Sequence, residues 1–306
     1  MNPTPRDIRI DPLLTKLSVA YKNAEYIAEQ ILPVLPTTKV TGMYYVYDKE
    51  NLRTSQSLRG MGSPANEVGY GVSKSTPFVC LDHALKELVP NELKEQAETP
   101  MNPEVDATEN VTEKLLVERE QALATYMASS SNLTNYTTLS GTSQWSDYEN
   151  SDPIGDIETG IESVRSKVLH AANTLVLGQQ AWNKLKHHPD LIERIKYGGF
   201  GKMSTQALAD LLDLDKVIIG SAGYESAKEG QASSLSYIWG KHAWLIYVPK
   251  RPGIKEVSFG YYFQYKKSVD KWYDQDREGT FVRVHDFFTK EIITVDAAYL
   301  IKNAVA

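Results

Sequence analysis

The residue types of several catalytic and binding sites occur in this sequence, but not at the spacings their chemistry needs. "GGFGKMST" (Gly198 to Thr205) has the glycines and the lysine of a phosphate-binding loop. Such a loop requires a further glycine five positions before the one preceding its lysine, and a Ser or Thr directly after the lysine to hold magnesium. Here those positions are Lys196 and Met203, so a glycine turn ahead of a Ser204-capped helix is expected instead. "YDQDREG" (Tyr273 to Gly279) sets Asp274, Asp276 and Glu278 at alternate positions, a pattern that offers oxygen ligands to a hard cation. No further ligands follow at loop spacing, and a charged turn between strands is the plainer expectation.

The histidines are His83, His170, His187, His188, His242 and His285. None pairs with another at four-residue spacing and no HExxH is present, so zinc hydrolysis has no support. His187 and His188 adjoin at an expected helix end before Pro189, where a cation complements the helix dipole. No G-x-S-x-G elbow occurs, while a Ser-His-Asp triad built from distant positions stays open. No cofactor, metal or catalytic residue is therefore expected.

The totals narrow the field further. The 306 residues are 42% hydrophobic and 24% charged, the balance of a globular chain with room for one large or two smaller domains. A net charge of −6 argues against a sequence-independent grip on nucleic-acid phosphates, which needs clustered Lys and Arg. The lone cysteine, Cys80, excludes an intrachain disulfide and reads as a small buried hydrophobe. No apolar run reaches the roughly 18 residues of a membrane span, and "MNPTPRDIRIDP" lacks the apolar core of a signal peptide. The N-x-T triplets at Asn110, Asn132 and Asn135 are then expected to be chance.

The elements follow from periodicity. Asp11 and Pro12 predict a helix start, with Leu13, Leu17, Tyr21, Ala24, Ala28 and Ile31 on one face, until the prolines of "LPVLPTT" stop it. Residues 1–40 thus form an arm. "MYYVY" (Met43 to Tyr47) and "PFVCLDHALKELVP" (Pro77 to Pro90) predict strands parted by about 25 to 30 polar residues, far beyond a tight hairpin turn. Residues 41–80 therefore read as a projecting two-stranded loop.

Asn102, Pro103 and the apolar spacing through Tyr126 predict a long helix over about 103–128, a strut. The Ser, Thr and Asn of Ala128 to Ser151 predict a linker or a surface strand pair. A second helix carries Ile154, Ile157, Ile161, Val164 and Val168 inward. It precedes a β-α-α-α-β unit running from "TLVLG" to "KVIIG". From Trp239 the chain predicts strands: "WGKHAWLIYVP", "SFGYYFQYKK", "TFVRVHDFF" and "EIITVDAAYLI". The expected fold class is α+β. Tyrosines cluster at Tyr44, Tyr45 and Tyr47 and at Tyr261, Tyr262 and Tyr265; wet interfaces and strand cores explain such clusters about equally.

This order of features resembles the major capsid proteins of tailed bacteriophages with the Hong Kong 97 type fold. The segments that carry the resemblance are "DPLLTKLSVAYKNAEYIAEQILPVLPTTKVTGMYYVYDKENLR", "PNELKEQ" before the long helix, "NTLVLGQQAWNKLKHHPDLIERIKYGG" with "STQALADLLDLDKVIIGSAGYES", "IWGKHAWLIY" and "DAAYLIKNAVA". The resemblance implies an N-terminal arm (1–40), an extended loop (41–80) and a peripheral domain with a spine helix (81–150). A mainly axial domain (151–265) and strands returning to the peripheral domain (266–306) complete it.

It further implies hexamers and pentamers closing into an icosahedral virion capsid around double-stranded DNA. The DNA would be held without sequence-specific binding or a membrane, and assembly would occur in the host bacterial cytoplasm. A portal protein and decoration proteins are implied partners. Because the arm pattern begins by Asp11, a scaffold is expected as a separate protein or as a segment removed ahead of residue 1. Tyr44, Tyr45, Tyr47, Lys49, Arg53 and Arg59 of the loop are the expected inter-subunit contacts. Two rivals remain: an encapsulin-like nanocompartment, distinguished by a protein cargo, and a soluble hydrolase, distinguished by a small oligomer that turns over a generic ester or phosphate.

Overall fold

The computed structural model describes residues 9–10, 26–47, 54–55, 57–69, 72–97, 101–197, 203–228, 230–253 and 256–306. The predicted helix start at Asp11 and its face from Leu13 to Ala24 lie outside these residues, as do Gly198 to Lys202 of the glycine-rich stretch.

The chain opens with β1 (Arg9–Ile10), a four-residue helix α1 (Ala28–Ile31) and β2 (Val34–Pro36). Leu32 closes α1 by donating to Ala28 O at 2.9 Å, and Pro33 prevents another turn. The long loop is a hairpin of β3 (Thr41–Tyr47) and β4 (Val72–Val79), with Thr41 opposite Val79 and Tyr47 opposite Val72. The expected single strand from Pro77 to Pro90 instead breaks at Cys80, which is buried and turns the chain from β4 into β5 (Leu81–Pro90) of another sheet.

After a short α2 (Asn91–Gln96) comes the strut, α3 (Pro103–Ala128). The Asn102 side chain accepts from the N–H groups of Glu104 and Val105, and Pro103 occupies the first turn, where a missing N–H costs nothing. Its 26 residues span roughly 39 Å at 1.5 Å each.

The stretch expected as a linker or a surface strand pair supplies one strand. It adds β6 (Tyr136–Thr138) to a sheet and buries Leu133, Leu139 and Trp145 in the main core, so three apolar residues outweigh a polar composition. α4 (Pro153–Val168) follows, capped by Asp152. The β-α-α-α-β unit is β7 (Thr174–Gly178), α5 (Gln179–Leu185), α6 (Pro189–Tyr197), α7 (Thr205–Leu211) and β8 (Lys216–Gly220), with β7 parallel to β8. The Ser204 hydroxyl caps α7 by accepting from Ala207 N–H. A small hairpin, β9 (Gly223–Glu225) and β10 (Leu235–Tyr237), precedes β11 (Ala243–Ile246). Two long strands, β12 (Gly260–Asp274) and β13 (Gly279–Ile292), and the final β14 (Ala298–Lys302) complete the chain.

Two five-stranded sheets result. One runs β1-β12-β13-β5 with β2 added to β12, and the other β6-β14-β11-β7-β8. β14 therefore belongs to the α/β sheet and not with the strands of the peripheral sheet, as its sequence position had suggested. "EIITVDAAYLI" is not one strand: β13 ends at Ile292 and a 3-10 turn at Val295–Ala297 carries the chain across to the second sheet. "YDQDREG" is the turn between β12 and β13, where Asp274 Oδ1 accepts from Asp276 N at 3.0 Å and from Arg277 N at 3.3 Å.

The C-terminal strand is fastened through His242. Its Nδ1 accepts from Asn303 N at 3.0 Å, which requires the ring to be unprotonated at that nitrogen. Burial, with Lys302 and Lys241 beside it, pushes its pKa down to about 4. Between the ordinary value of 6.5 and about 4, an unfolded chain takes up a proton that the folded one refuses, so stability is lost as pH falls through this window. Urea midpoints should fall from pH 7 to pH 5 in the native protein and fall less in His242→Gln. Equal slopes in the two would remove His242 from the account.

Candidate functional site

α3 crosses two cores. Its first half packs Ala107, Val111 and Leu115 against Val89, Val269, Val282 and Val284 of the peripheral sheet. Its last turns place Leu123, Ala124 and Met127 in the core of the α/β module. Where the helix passes from one to the other stand two charged residues, Arg119 at 5% exposure and Glu120 at 1%.

A carboxylate that deep must be met by donors. Glu120 accepts from the backbone N–H of Ile27 at 3.0 Å and of Ala28 at 2.8 Å, and from the indole Nε1 of Trp239. The first two are unpaired donors at the start of α1, which has no side-chain cap of its own, so Glu120 caps a helix from another part of the chain. Burial pushes its pKa up, against the pull of these hydrogen bonds. Trp239 reaches it across Gly220, where a Cβ would stand 2.3 Å from the indole, so only glycine fits.

Arg119 serves the same segment. Its Nη1 donates to Glu29 Oε1 at 3.1 Å, while its guanidinium lies over the rings of Tyr262 at 3.9 Å and Phe288 at 4.9 Å. Tyr26 donates to Glu113, and Lys216 of β8 donates to Gln30. Five consecutive residues, 26 to 30, are thereby bound to the strut or to the α/β sheet.

The hairpin is rooted separately. Phe263 of β12 stacks on Phe78 of β4 with centroids 4.2 Å apart and on Tyr44 of β3 at 5.9 Å. A Cβ at Gly42 would lie 2.6 Å from the Phe78 ring, so that ring uses the glycine's space. Beyond this root every described residue from Thr54 to Gly69 is exposed, including Leu58 at 84%, Met61 and Val68 at 73%.

The expected contact residues divide accordingly. Tyr44 is half-buried, stacked on Phe263 and donating to Glu291 Oε2 at 3.3 Å. Tyr45 faces outward at 46% exposure, and Arg59 is exposed near the tip. Tyr47 lies in β3, and its side chain is outside the described residues, as are Lys49 and Arg53 entirely.

One Ser-His-Asp grouping does assemble: Ser151 Oγ lies 3.1 Å from His188 Nε2, and Asp190 Oδ2 lies 3.6 Å from its Nδ1. The serine hydroxyl donates to Asp147 O at 2.6 Å, so its proton is already committed and the imidazole must donate to it. That is the reverse of an activated nucleophile. His188 is fully buried, burial holds its pKa below the ordinary value, and the group is a structural fastener of α4 and α6.

No protein-family model matches the chain. Over 302 residues it is 31% identical to the major capsid protein of Burkholderia phage BcepMu, covering 96% of each. The chain belongs to the phage major capsid proteins. The capsid protein also aligns with the crystal structure of a phage-related protein of Bordetella bronchiseptica RB50, at a TM-score of 0.77 and 25% identity over 96% of this chain and 97% of the other. A capsid structure of the cyanophage P-SCSP1u shares the fold, with a TM-score of 0.60 at 10% identity over 92% and 89%. The α+β, Hong Kong 97 type architecture expected from the resemblance is the fold of this capsid protein.

Sequence reasoning missed Arg119 and Glu120, which read as two charges on a solvated strut. One signal was available: Arg119 falls four residues after Leu115 and four before Leu123, on the stripe itself. Glu120→Gln turns one accepting oxygen into an NH2 that faces an N–H of the arm or of Trp239. The change should cost about 1–3 kcal/mol, read as a lower urea midpoint, and should make the chain near residues 26–31 cleavable by protease. Native midpoint and native protease resistance would contradict the capping role.

Proposed function

We propose that this capsid protein is the repeating shell subunit, assembling as hexamers and pentamers into an icosahedral shell that encloses double-stranded DNA. The observation that carries this is the hairpin. About 25 to 30 residues leave the body, and their described part exposes Leu58, Met61 and Val68, uncovered by the described residues of the subunit. Apolar surface left open in one copy is buried when a neighbour supplies the other side, at roughly 25 cal/mol per Å². A heterologous contact of this kind closes into rings when its rotation divides the circle.

In this proposal the α/β module meets its copies around the five-fold and six-fold axes, and α3 is the spine of the peripheral domain. The contact residues of the loop are Tyr44, Tyr45, Tyr47, Lys49, Arg53 and Arg59. A portal protein and decoration proteins are its partners, and a scaffold acts either as a separate protein or as a segment removed ahead of residue 1. Assembly takes place in the bacterial cytoplasm. The net charge of −6 supports enclosure of DNA without a tight phosphate grip, so that a genome can slide as it is packed.

Deleting Lys49 to Pro64 tests the hairpin's part. The variant should keep the native circular dichroism and melting profile yet yield no particles by electron microscopy under conditions where the full chain assembles. Intact shells from the deletion would show that the loop is dispensable.

A further inference from the structure

β5 closes one end of the peripheral sheet, and among the described residues it pairs with β13 alone. Its register runs unbroken from Pro90 opposite Gly279 to Leu81 opposite Phe288, with no bulge to bend the edge away. Leu81, Asp82, Ala84, Leu85 and Lys86 are exposed, Leu81 at 60%. A long, flat, open edge is a template for a further strand, and folded proteins usually cover or distort one.

The ends of the strand show which backbone groups look outward. Asn91 N donates to Glu278 O at 3.0 Å, so the odd-numbered residues of β5 bond inward to β13. Cys80 N donates the other way, to Val40 O at 2.8 Å, which closes the edge at that end. The outward N–H and C=O groups past it belong to Asp82, Ala84, Lys86 and Leu88, and no described residue bonds them. Pro90 stands where its missing N–H breaks no ladder bond.

A second copy of β5 fits this edge. In an antiparallel pair, residues with outward groups face one another, so a two-fold axis passes through a residue and never between two. With the axis at Ala84, Asp82 of each copy faces Lys86 of the other, and about six hydrogen bonds join Asp82, Ala84 and Lys86 to their counterparts. An axis at His83 would run Lys86 into Cys80, where Val40 already sits; one at Leu85 would leave both charges unpaired, and one at Lys86 would oppose like charges.

The two charges stand ready on one face of the strand. His285 Nδ1 lies 2.9 Å from both oxygens of Asp82, and Lys86 Nζ lies 4.4 Å from the ring centre of Phe281. On the opposite face, the exposed Leu85 of one copy becomes a diagonal neighbour of Leu81 and Leu85 of the other.

We infer that β5 pairs with β5 of a second subunit about a two-fold axis at Ala84, merging two peripheral sheets into one. Hexamers and pentamers are rings of head-to-tail contacts, so an isologous strand pair lies between rings and not within one. This rests on the shell assembly proposed above. Ala84→Cys tests it in the full chain, assembled and then oxidised. A non-reducing gel should show a covalent dimer in several-fold excess over the native chain, whose Cys80 is buried. In that background Lys86→Glu should lower the dimer yield several-fold, and adding Asp82→Lys should restore it.

The native chain supplies a second reading. The amide protons of Asp82, Ala84 and Lys86 should exchange freely in the unassembled subunit and become protected in particles. Particles with only monomer on the gel, a charge swap that fails to rescue, or amides that exchange alike in both states would overturn the pairing and leave the shell proposal standing. Failure of the native chain to form particles under any condition would instead count against the shell proposal.

Discussion

Glu120 is an acid sealed on a helix face, tolerable there only because N–H groups of Ile27, Ala28 and Trp239 converge on it. Removing the partners of a buried charge costs about 3–5 kcal/mol, a large share of the stability of an ordinary domain. The three donors come from the arm and from the segment before β11, so satisfying one carboxylate fixes the arm, the strut and the α/β module relative to each other. A hydrophobic residue at position 120 would fill the space but specify nothing. The directional demand of a buried charge is what ties these particular segments together.

That demand falls where the two cores meet. Valines of the peripheral sheet pack against the first half of α3, and the tryptophan-rich core of the α/β module packs against its end. Apolar contact alone would let the two bodies slide along a helix of roughly 39 Å. Glu120 and Trp244, whose indole donates to Met127 O at 2.9 Å, set the register on one side. On the other, Arg119 lies over the rings of Tyr262 and Phe288, from the long strands β12 and β13. Polar groups at the crossing convert two adjacent cores into one rigid subunit.

Much of this frame was legible in the sequence wherever local chemistry settles local structure. Asn102 and Ser204 cap the helices they were expected to cap, and "TLVLG" and "KVIIG" are strands over the same residues. What escaped depends on distant partners. Trp145 is fully buried in a stretch whose Ser, Thr and Asn content speaks for a linker, because composition averages away a single large side chain. β14 pairs with β11 and β6, a choice made by the turn at Val295–Ala297 and not by its own residues. The Arg119 and Glu120 pair was invisible for the same reason: a buried charge is recognised by its partners, and these lie 90 or more residues away.

The same two adjacent residues divide their work. Glu120 is fully satisfied by the arm and by Trp239, whereas Arg119 gives one planar guanidinium both to Glu29 of the arm, through Nη1, and to the rings of Tyr262 and Phe288 beneath it. The plane cannot turn for one without turning for the other. A docked arm sets the guanidinium on the rings, and the rings preset Nη1 for Glu29. Such coupling is reciprocal by thermodynamic necessity. Seating the arm therefore strengthens the contact of α3 with β12 and β13 by the same free energy with which that contact strengthens the arm, so the two form as one cooperative step.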